Sequence, residues 1–224
     1  ITACSMYKIT QGDKTIVGNN EDWISPNSKF WYEKGEDENY GVLYMGQLDD
    51  FSQGAINEVG LVFDGFANPK LAVEDTVGKK TISISTAISK IMQTMSTVKE
   101  VKAYLSKVNL SSLTSSQIVF VDRYGTYLIV EGDVLFIGKE DEKAFSNFYY
   151  SQIDSVADVP LDGFQKGLQF LKNSQESATT DYCSNVMKSL ASNKLFGTQY
   201  STIYDLSTLT VRIYLFHDYS QYVE

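Results

Sequence analysis

Residues 4–23 have the sequence CSMYKIT, QGD, KTIVGN and NEDW, and this stretch carries the first expectation about the fold. Two segments rich in β-branched and aromatic residues, 4–10 and 14–19, flank a glycine-containing turn at 11–13, a pattern that predicts a β-hairpin. The second strand of an antiparallel hairpin ends beside the start of the first. We therefore expect Asn19 and the residues after it to lie next to Cys4.

The rest of the chain alternates blocks of strands with pairs of helices. Helices are indicated by apolar residues recurring about every 3.6 positions, and the strands between residues 117 and 138 are apolar at consecutive positions, which is typical of strands covered on both faces. Strands are predicted at 29–33, 40–47, 51–57, 61–66, 117–122, 126–131, 134–138, 200–206 and 209–216, and helices at 84–95, 98–108 with an N-cap at Ser96, 161–171 and 182–190. This order predicts an α+β protein with two antiparallel sheets between helical layers.

Composition narrows the classes of function. The chain has 224 residues, 43% of them hydrophobic, and no linker divides it, so we predict a single domain over residues 1–224. A net charge of −9 argues against nucleic-acid binding, and no apolar run is long enough to span a bilayer. With only one histidine, His217, and two cysteines, a zinc site of four cysteines or of two cysteines and two histidines is excluded within one chain.

Cys4 is the first candidate for chemistry. The small residues Thr2 and Ala3 before it are typical of the end of an export signal, so we expect an exported protein from which residues 1–3 are removed. Removal would free the α-amine of Cys4, whose ordinary pKa is about 7.7–8.0 and which could take the thiol proton without a histidine. Asp22, returning beside Cys4 in the hairpin, could orient that amine or thiol.

Two alternatives compete for the same cysteine. Residues 1–4 also fit a lipoprotein cleavage box, and a lipidated Cys4 could not serve as both nucleophile and base. A disulfide with Cys183 would likewise remove the nucleophile, although Cys183 falls on the apolar stripe of its helix, which predicts structural burial. The position of Asp22 favours catalysis, because a lipid anchor needs no carboxylate beside it.

Cys4 followed by Gly18-Asn-Asn-Glu-Asp22-Trp23 resembles the opening of the choloylglycine hydrolase and penicillin acyltransferase family of N-terminal nucleophile (Ntn) hydrolases. The resemblance continues in order along almost the whole chain. The further segments that resemble the family are 56–63 (INEVGLVF), 95–101 (MSTVKEV), 122–131 (DRYGTYLIVE), 145–148 (FSNF) and 200–205 (YSTIYD).

The resemblance implies a four-layer αββα sandwich and hydrolysis or acyl transfer at a linear, non-peptide amide through an acyl-thioester on Cys4. It implies that Asp22 orients the nucleophile and that Asn147 helps to bind either the tetrahedral intermediate or the amine of Cys4. Asn68 lies one place beyond the family's oxyanion-hole position, which Ala67 occupies. No cofactor or metal is implied, because a thiol and an amine suffice.

Asn19 and Asn20, which the hairpin brings back beside Cys4, could contact an amide substrate, and Gln199 is a further candidate for substrate contact at a position where the family has arginine. The family's bile-salt hydrolases carry arginine where this chain has Asn19, and a second arginine is replaced by Gln199, so an anionic substrate is disfavoured. The partners expected are a small-molecule amide and no nucleic acid, with a homo-oligomer left open. The alternative is a non-catalytic exported or lipid-anchored binding protein on the same scaffold.

Overall fold

The computed structural model describes residues 4–47, 51–74, 78–173, 178–193 and 197–224. These residues form two compact units. The first unit comprises the described residues up to Ser28 and from Glu140 to Glu224, and the second comprises Lys29–Lys139.

The elements follow one another in the predicted order. In the chain they are β1 (Ser5–Gln11), β2 (Lys14–Asp22), β3 (Ser28–Glu33), β4 (Val42–Gln47), β5 (Ser52–Asn57), β6 (Val62–Ala67), β7 (Lys80–Thr81), α1 (Ile84–Thr94), α2 (Val98–Leu105), β8 (Val108–Asn109), β9 (Ser116–Val121), β10 (Tyr127–Glu131), β11 (Val134–Gly138), β12 (Glu142–Ser146), α3 (Asp162–Asn173), α4 (Thr180–Leu190), β13 (Thr198–Asp205) and β14 (Thr210–Leu215), with short 3₁₀ helices at Tyr150–Gln152 and Val156–Asp158.

The first unit is a five-stranded antiparallel sheet in the order β12-β1-β2-β13-β14, with helices α3 and α4 on one face. The β1–β2 hairpin closes with Gln11 paired to Lys14, and Gly12 has the positive φ of 59° that favours glycine in a tight hairpin turn. We call the face covered by these helices the helix face. Its core consists of Tyr7, Ile9, Ile16 and Ile203 from the strands and Phe164, Leu171, Cys183, Val186 and Met187 from the helices.

The second unit is a seven-stranded antiparallel sheet in the order β11-β10-β9-β6-β5-β4-β3, whose core includes α1 and α2. Two polar residues from the segments that resemble the family, Asn57 and Asp122, hydrogen-bond to the ends of its helices. The Asn57 side chain donates to the carbonyls of Met92 and Met95 at 2.9 and 2.8 Å, and Asp122 accepts from the backbone N–H of Val98 at 3.1 Å. These side chains satisfy backbone groups at the helix ends, so both motif residues stabilise the fold.

The predicted α+β class is confirmed, as are the strands and helices expected from the sequence, to within a few residues at their ends. The prediction of Ser96 as the N-cap of α2 is wrong. Thr97 is the N-cap, because Glu100 lies three residues beyond it and completes a capping box. The strand β12 was not predicted, since only its last three residues are buried.

The expectation that all three strands between 117 and 138 are covered on both faces holds for β9 and β10 but fails for β11. Strand β11 ends its sheet and is largely exposed. Within the described ranges, no helix has the length and apolar character needed to cross a membrane.

Candidate active site

Cys4 lies immediately before β1 at one end of the five-stranded sheet and is only 6% exposed. Its neighbour Ser5 pairs with Asn20 on β2 and with Ser146 on β12. One step further along each antiparallel ladder, Cys4 is opposite Glu21 on one side and Asn147 on the other. The Ser146 hydroxyl donates to the Cys4 carbonyl at 2.6 Å, which anchors the backbone of the candidate nucleophile.

The thiol of Cys4 has two oxygen acceptors on β2. It donates to Oε2 of Glu21 at 3.5 Å and approaches the main-chain carbonyl of Asp22 at 3.6 Å. The sequence pattern suggested the Asp22 carboxylate for this contact, but that carboxylate accepts from the hydroxyl of Thr198 at 2.6 Å. The acidic side chain that touches the thiol is therefore Glu21, which was not among the predicted site residues.

The two faces of β2 carry different residues. Gly18 faces α4, because a Cβ at this position would lie 2.7 Å from the sulfur of Cys183. Asn20 faces α4 as well, and its Nδ2 donates to the carbonyl of Met187 at 2.9 Å. Since side chains alternate along a strand, Glu21 and Asn19 point to the opposite face. We call that face, which also carries the Cys4 thiol, the thiol face.

Burial shifts the proton affinity of both acidic residues. Glu21 is 2% exposed, and desolvation raises its pKa from 4.5 to about 8, against the lowering effect of the Cys4 hydrogen bond and with a further increase from nearby Asp22. Desolvation also raises the pKa of Asp22 to about 7, opposed by the hydrogen bond from Thr198. Both groups can therefore exchange protons near neutral pH.

Further polar groups line the thiol face next to this pair. Asn19 is 2% exposed, and its Oδ1 accepts no hydrogen bond from any residue that the structure describes. Its register partner Thr202 is fully buried. The Oγ1 of Thr202 likewise has no hydrogen-bond partner among the described residues. Buried polar atoms without partners are rare and mark places where a ligand or water can bind.

The remaining predicted site residues occupy different positions. Asn20 is fully engaged on the helix face, where its Oδ1 accepts from Ser201 at 2.7 Å and Tyr219 at 3.0 Å. It is not beside the Cys4 thiol. Gln199 sits at a register shift in β13, and its Nε2 donates to the main-chain carbonyls of Trp23 at 2.8 Å and Gly197 at 2.9 Å. It thereby holds the end of β2.

Asn68 belongs to the second unit. It follows β6, and its backbone N–H donates to the carbonyl of Ser115 at 2.9 Å. Both polar atoms of its side chain are buried, and neither has a hydrogen-bond partner among the described residues. The carboxamide is thus available to a ligand.

The other cysteine and the single histidine take no part in this arrangement. Cys4 and Cys183 form no disulfide with each other, so the bridge left open by the sequence is absent. Cys183 is fully buried on the helix face, where desolvation raises its thiol pKa to about 12. His217 is exposed after β14. The chemistry of the site therefore depends on Cys4 and the groups around it.

No family model and no curated protein matches the sequence. The structure, in contrast, is similar to solved structures over most of its length. Penicillin V acylase from Agrobacterium tumefaciens matches with a TM-score of 0.73 and 15% identity, covering 95% of this chain and 82% of that one. A variant of conjugated bile acid hydrolase from Clostridium perfringens matches with a TM-score of 0.72 and 16% identity, covering 99% and 92%.

A third similar structure is the Caenorhabditis elegans ortholog of N-acylethanolamine-hydrolyzing acid amidase. Its TM-score is 0.63 at 11% identity, and the match covers 91% of this chain and 92% of that one. The chain therefore has the fold of the Ntn hydrolases, as the sequence resemblance implied. At these identities the likeness shows the fold alone.

Proposed function

We propose that this protein is a cysteine amidase or acyltransferase that acts on a linear, non-peptide amide. The observation that carries the proposal is the thiol of Cys4, held at 3.5 Å from a buried carboxyl group at the end of the five-stranded sheet. The fold adds support, because the three similar proteins act on penicillin V, conjugated bile acids and N-acylethanolamines. Membership of the choloylglycine hydrolase family is part of this proposal.

In the proposed reaction, Cys4 attacks the amide carbonyl and the carbonyl oxygen becomes an oxyanion. Asn147, which neighbours Cys4 through the register of β12, donates to that oxyanion or to the Cys4 nitrogen. The loss of one such donor in hydrolases lowers the rate by about 10²–10³-fold. Collapse of the intermediate yields an acyl-thioester, which passes its acyl group to water or another acceptor.

Removal of residues 1–3 from an exported precursor forms part of the same proposal. It would give Cys4 a free α-amine. Asp22, whose carboxyl group the resemblance assigns to orienting the nucleophile, follows Glu21, the residue on β2 that accepts from the thiol. The mass of the intact protein from its native producer tests this step. A mass that corresponds to a chain beginning at Cys4 is expected. A lipid adduct on Cys4 would instead support the non-catalytic, membrane-anchored alternative.

We propose that the substrate lacks a strongly anionic group near the scissile bond. Asn19 and Gln199 occupy positions at which the resembled bile-salt hydrolases have arginine, and the Gln199 amide is already bonded to main-chain carbonyls. The nearby Glu21 would repel an anion whenever it is ionised. N-acylethanolamines and other uncharged amides should therefore be converted faster than conjugated bile salts.

Acyl-enzyme trapping tests the proposed function. The protein is mixed with a panel of N-acylethanolamines, N-acyl amino acids, penicillins and conjugated bile salts, quenched in acid and analysed by intact and peptide mass spectrometry. We expect an acyl adduct on the Cys4 peptide in the wild type and in Cys183→Ala, and none in Cys4→Ala. Turnover that persists in Cys4→Ala would exclude Cys4 as the nucleophile.

A further inference from the structure

We infer that Glu21 is the proton carrier of the site: it takes the proton from the Cys4 thiol during attack and gives it to the departing amine. This inference rests on the proposed function and assigns a role to a residue that the sequence resemblance did not. The direct contact between Oε2 of Glu21 and the sulfur of Cys4, at 3.5 Å, is the observation behind it.

The surroundings of Glu21 in the first unit leave the thiol as its proton-sharing partner. On the thiol face of the sheet, the ionisable groups around it are Cys4 and Tyr200, which pairs with Glu21 from β13, whereas Asp22, the next residue on the strand, points to the helix face. The Asp22 carboxyl is bonded to a threonine hydroxyl, and Lys8, further along β1, directs its ammonium group to main-chain carbonyls. Among the described residues no cation pairs with Glu21, so no positive charge lowers the affinity of its carboxylate for a proton.

Close spacing makes the pair titrate as a unit. A thiolate and a carboxylate 3.5 Å apart in a buried site repel each other, so the pair gives up one proton readily and retains the second. Burial raises the pKa of Glu21 to about 8, so its carboxyl group can take up and release a proton near neutral pH. In the singly ionised pair, the remaining proton lies in the contact between sulfur and oxygen and can be held by either atom.

The proposed cycle conserves atoms and protons. As the sulfur of Cys4 bonds to the amide carbon, the thiol proton moves to Glu21 and the carbonyl π electrons move to oxygen. When the C–N bond breaks, the amine nitrogen takes the proton from Glu21. Water then attacks the thioester, Glu21 accepts one of its protons, and that proton returns to the departing sulfur. The net reaction is amide plus water to acid plus amine.

This role does not require a free α-amine on Cys4. Before residues 1–3 are removed, the Cys4 nitrogen is an amide joined to Ala3 and cannot accept a proton, whereas the Glu21 carboxyl group already contacts the thiol. Glu21 can therefore activate the thiol before the preceding residues are removed.

The test measures how alkylation of Cys4 depends on pH in the full chain. Iodoacetamide is added from about pH 5 to about pH 10, a range that spans the ordinary pKa values of a carboxyl and a thiol, and labelling of each cysteine is followed by peptide mass spectrometry. In the wild type, we expect the rate at Cys4 to rise in two steps, because the pair loses its protons separately. In Glu21→Gln, we expect a single step.

A second measurement uses a substrate found in the trapping experiment. In single-turnover acylation by this substrate, Glu21→Gln should be slower than the wild type by about 10²–10⁴-fold.

Asp22→Asn is the matched control, because it removes a neighbouring carboxyl that does not touch the thiol through its side chain. It should keep both steps and move the first to lower pH, since one negative neighbour is lost. Fully buried Cys183 should stay unlabelled and reports on unfolding.

A single step in the wild type, identical profiles in wild type and Glu21→Gln, or an unreactive Cys4 would each overturn the inference. The alkylation measurement uses no substrate. A two-step profile that collapses in Glu21→Gln would therefore stand even if no amide were hydrolysed, so the failure of the proposed function can be told from the failure of this assignment.

Discussion

The two faces of the five-stranded sheet present the same residue types in opposite states. On the helix face, Cys183 is packed among apolar side chains, and Asn20 has a partner for both atoms of its carboxamide. On the thiol face, Cys4 touches the carboxyl group of Glu21, and the Oδ1 of Asn19 accepts no bond from the described residues. Successive residues of one strand thus have satisfied hydrogen bonds on one face and, on the other, the polar groups to which we assign the chemistry.

The difference between the faces follows from how their polar groups are used. A buried polar group that is fully hydrogen-bonded stabilises a fold and has no capacity left for a ligand. A buried carboxyl group with a raised pKa costs free energy of folding and is retained where proton transfer is needed. The comparison predicts that substitutions on the helix face lower stability, whereas those on the thiol face change reactivity.

Replacing each cysteine with alanine should give the largest contrast between the two faces in acyl-adduct formation and stability. Cys4→Ala should abolish acyl-adduct formation with little loss of thermal stability. Cys183→Ala should keep the adduct and lose about 1 kcal/mol of stability, because it leaves a small cavity under α4. Adduct mass and urea unfolding of both variants measure the two effects. Loss of the adduct in a folded Cys183→Ala would break the division between the faces.

The carboxyl group of Glu21 should make stability depend on pH. Its folded-state pKa of about 8 lies above the unfolded value near 4.5, so the folded state holds an extra proton between these limits. Its contribution is full below about pH 4.5 and is lost as pH rises through about 8. Relative to Glu21→Gln, the wild type should lose on the order of 5 kcal/mol over this range, measured by chemical unfolding. A constant difference between the two proteins would show that Glu21 is not buried as described.

The adjacent asparagines form a matched pair, because the same truncation removes the same atoms from each face. Asn20→Ala should cost about 2 kcal/mol more than Asn19→Ala, since it leaves the hydroxyls of Ser201 and Tyr219 and the carbonyl of Met187 short of a partner. Unfolding free energies of both variants give the comparison. Equal costs would mean that the hydrogen bonds of Asn20 add nothing to stability.

The close packing of α4 on β2 should give the smallest effect. An alanine Cβ at Gly18 would lie 2.7 Å from the sulfur of Cys183 and 2.8 Å from Cγ of Met187, so Gly18→Ala should cost about 1 kcal/mol as these side chains shift. Gly163→Ala in α3 is the control, because its added methyl meets nothing within 4 Å and it should be neutral or stabilising. Calorimetric unfolding that ranks the two variants in the reverse order would contradict this packing.

The sequence pattern placed β2 beside Cys4 but misjudged which carboxyl group reaches the thiol. A three-residue turn at 11–13 would align residue 10 with residue 14, whereas the structure has a two-residue turn and pairs Gln11 with Lys14. A shift of one residue in register moves side chains to the opposite face of a sheet. Pairing from Gln11 and Lys14 brings Glu21, and not Asn20, opposite Cys4, so the signal for Glu21 lay in the length of the turn.

Other parts of the site lay beyond local sequence. Thr198 and Thr202 come from β13, about 180 positions away from the hairpin, and nothing in their own neighbourhood marks them as partners of Asp22 and Asn19. Strand pairing between distant segments depends on the packing of whole sheets, which no short window of sequence contains.

What the sequence determined by itself was the order of strands and helices, the α+β class and Cys4 as the candidate nucleophile, because hydrophobic periodicity, turn residues and a scarcity of histidine are properties of the linear chain. Tertiary structure alone decided that Glu21 contacts the thiol, that Asn20 bonds to the backbone of α4 and that the pKa of Glu21 is raised to about 8. Each of these depends on register and burial, and desolvation acts only after distant strands and helices have closed around a side chain.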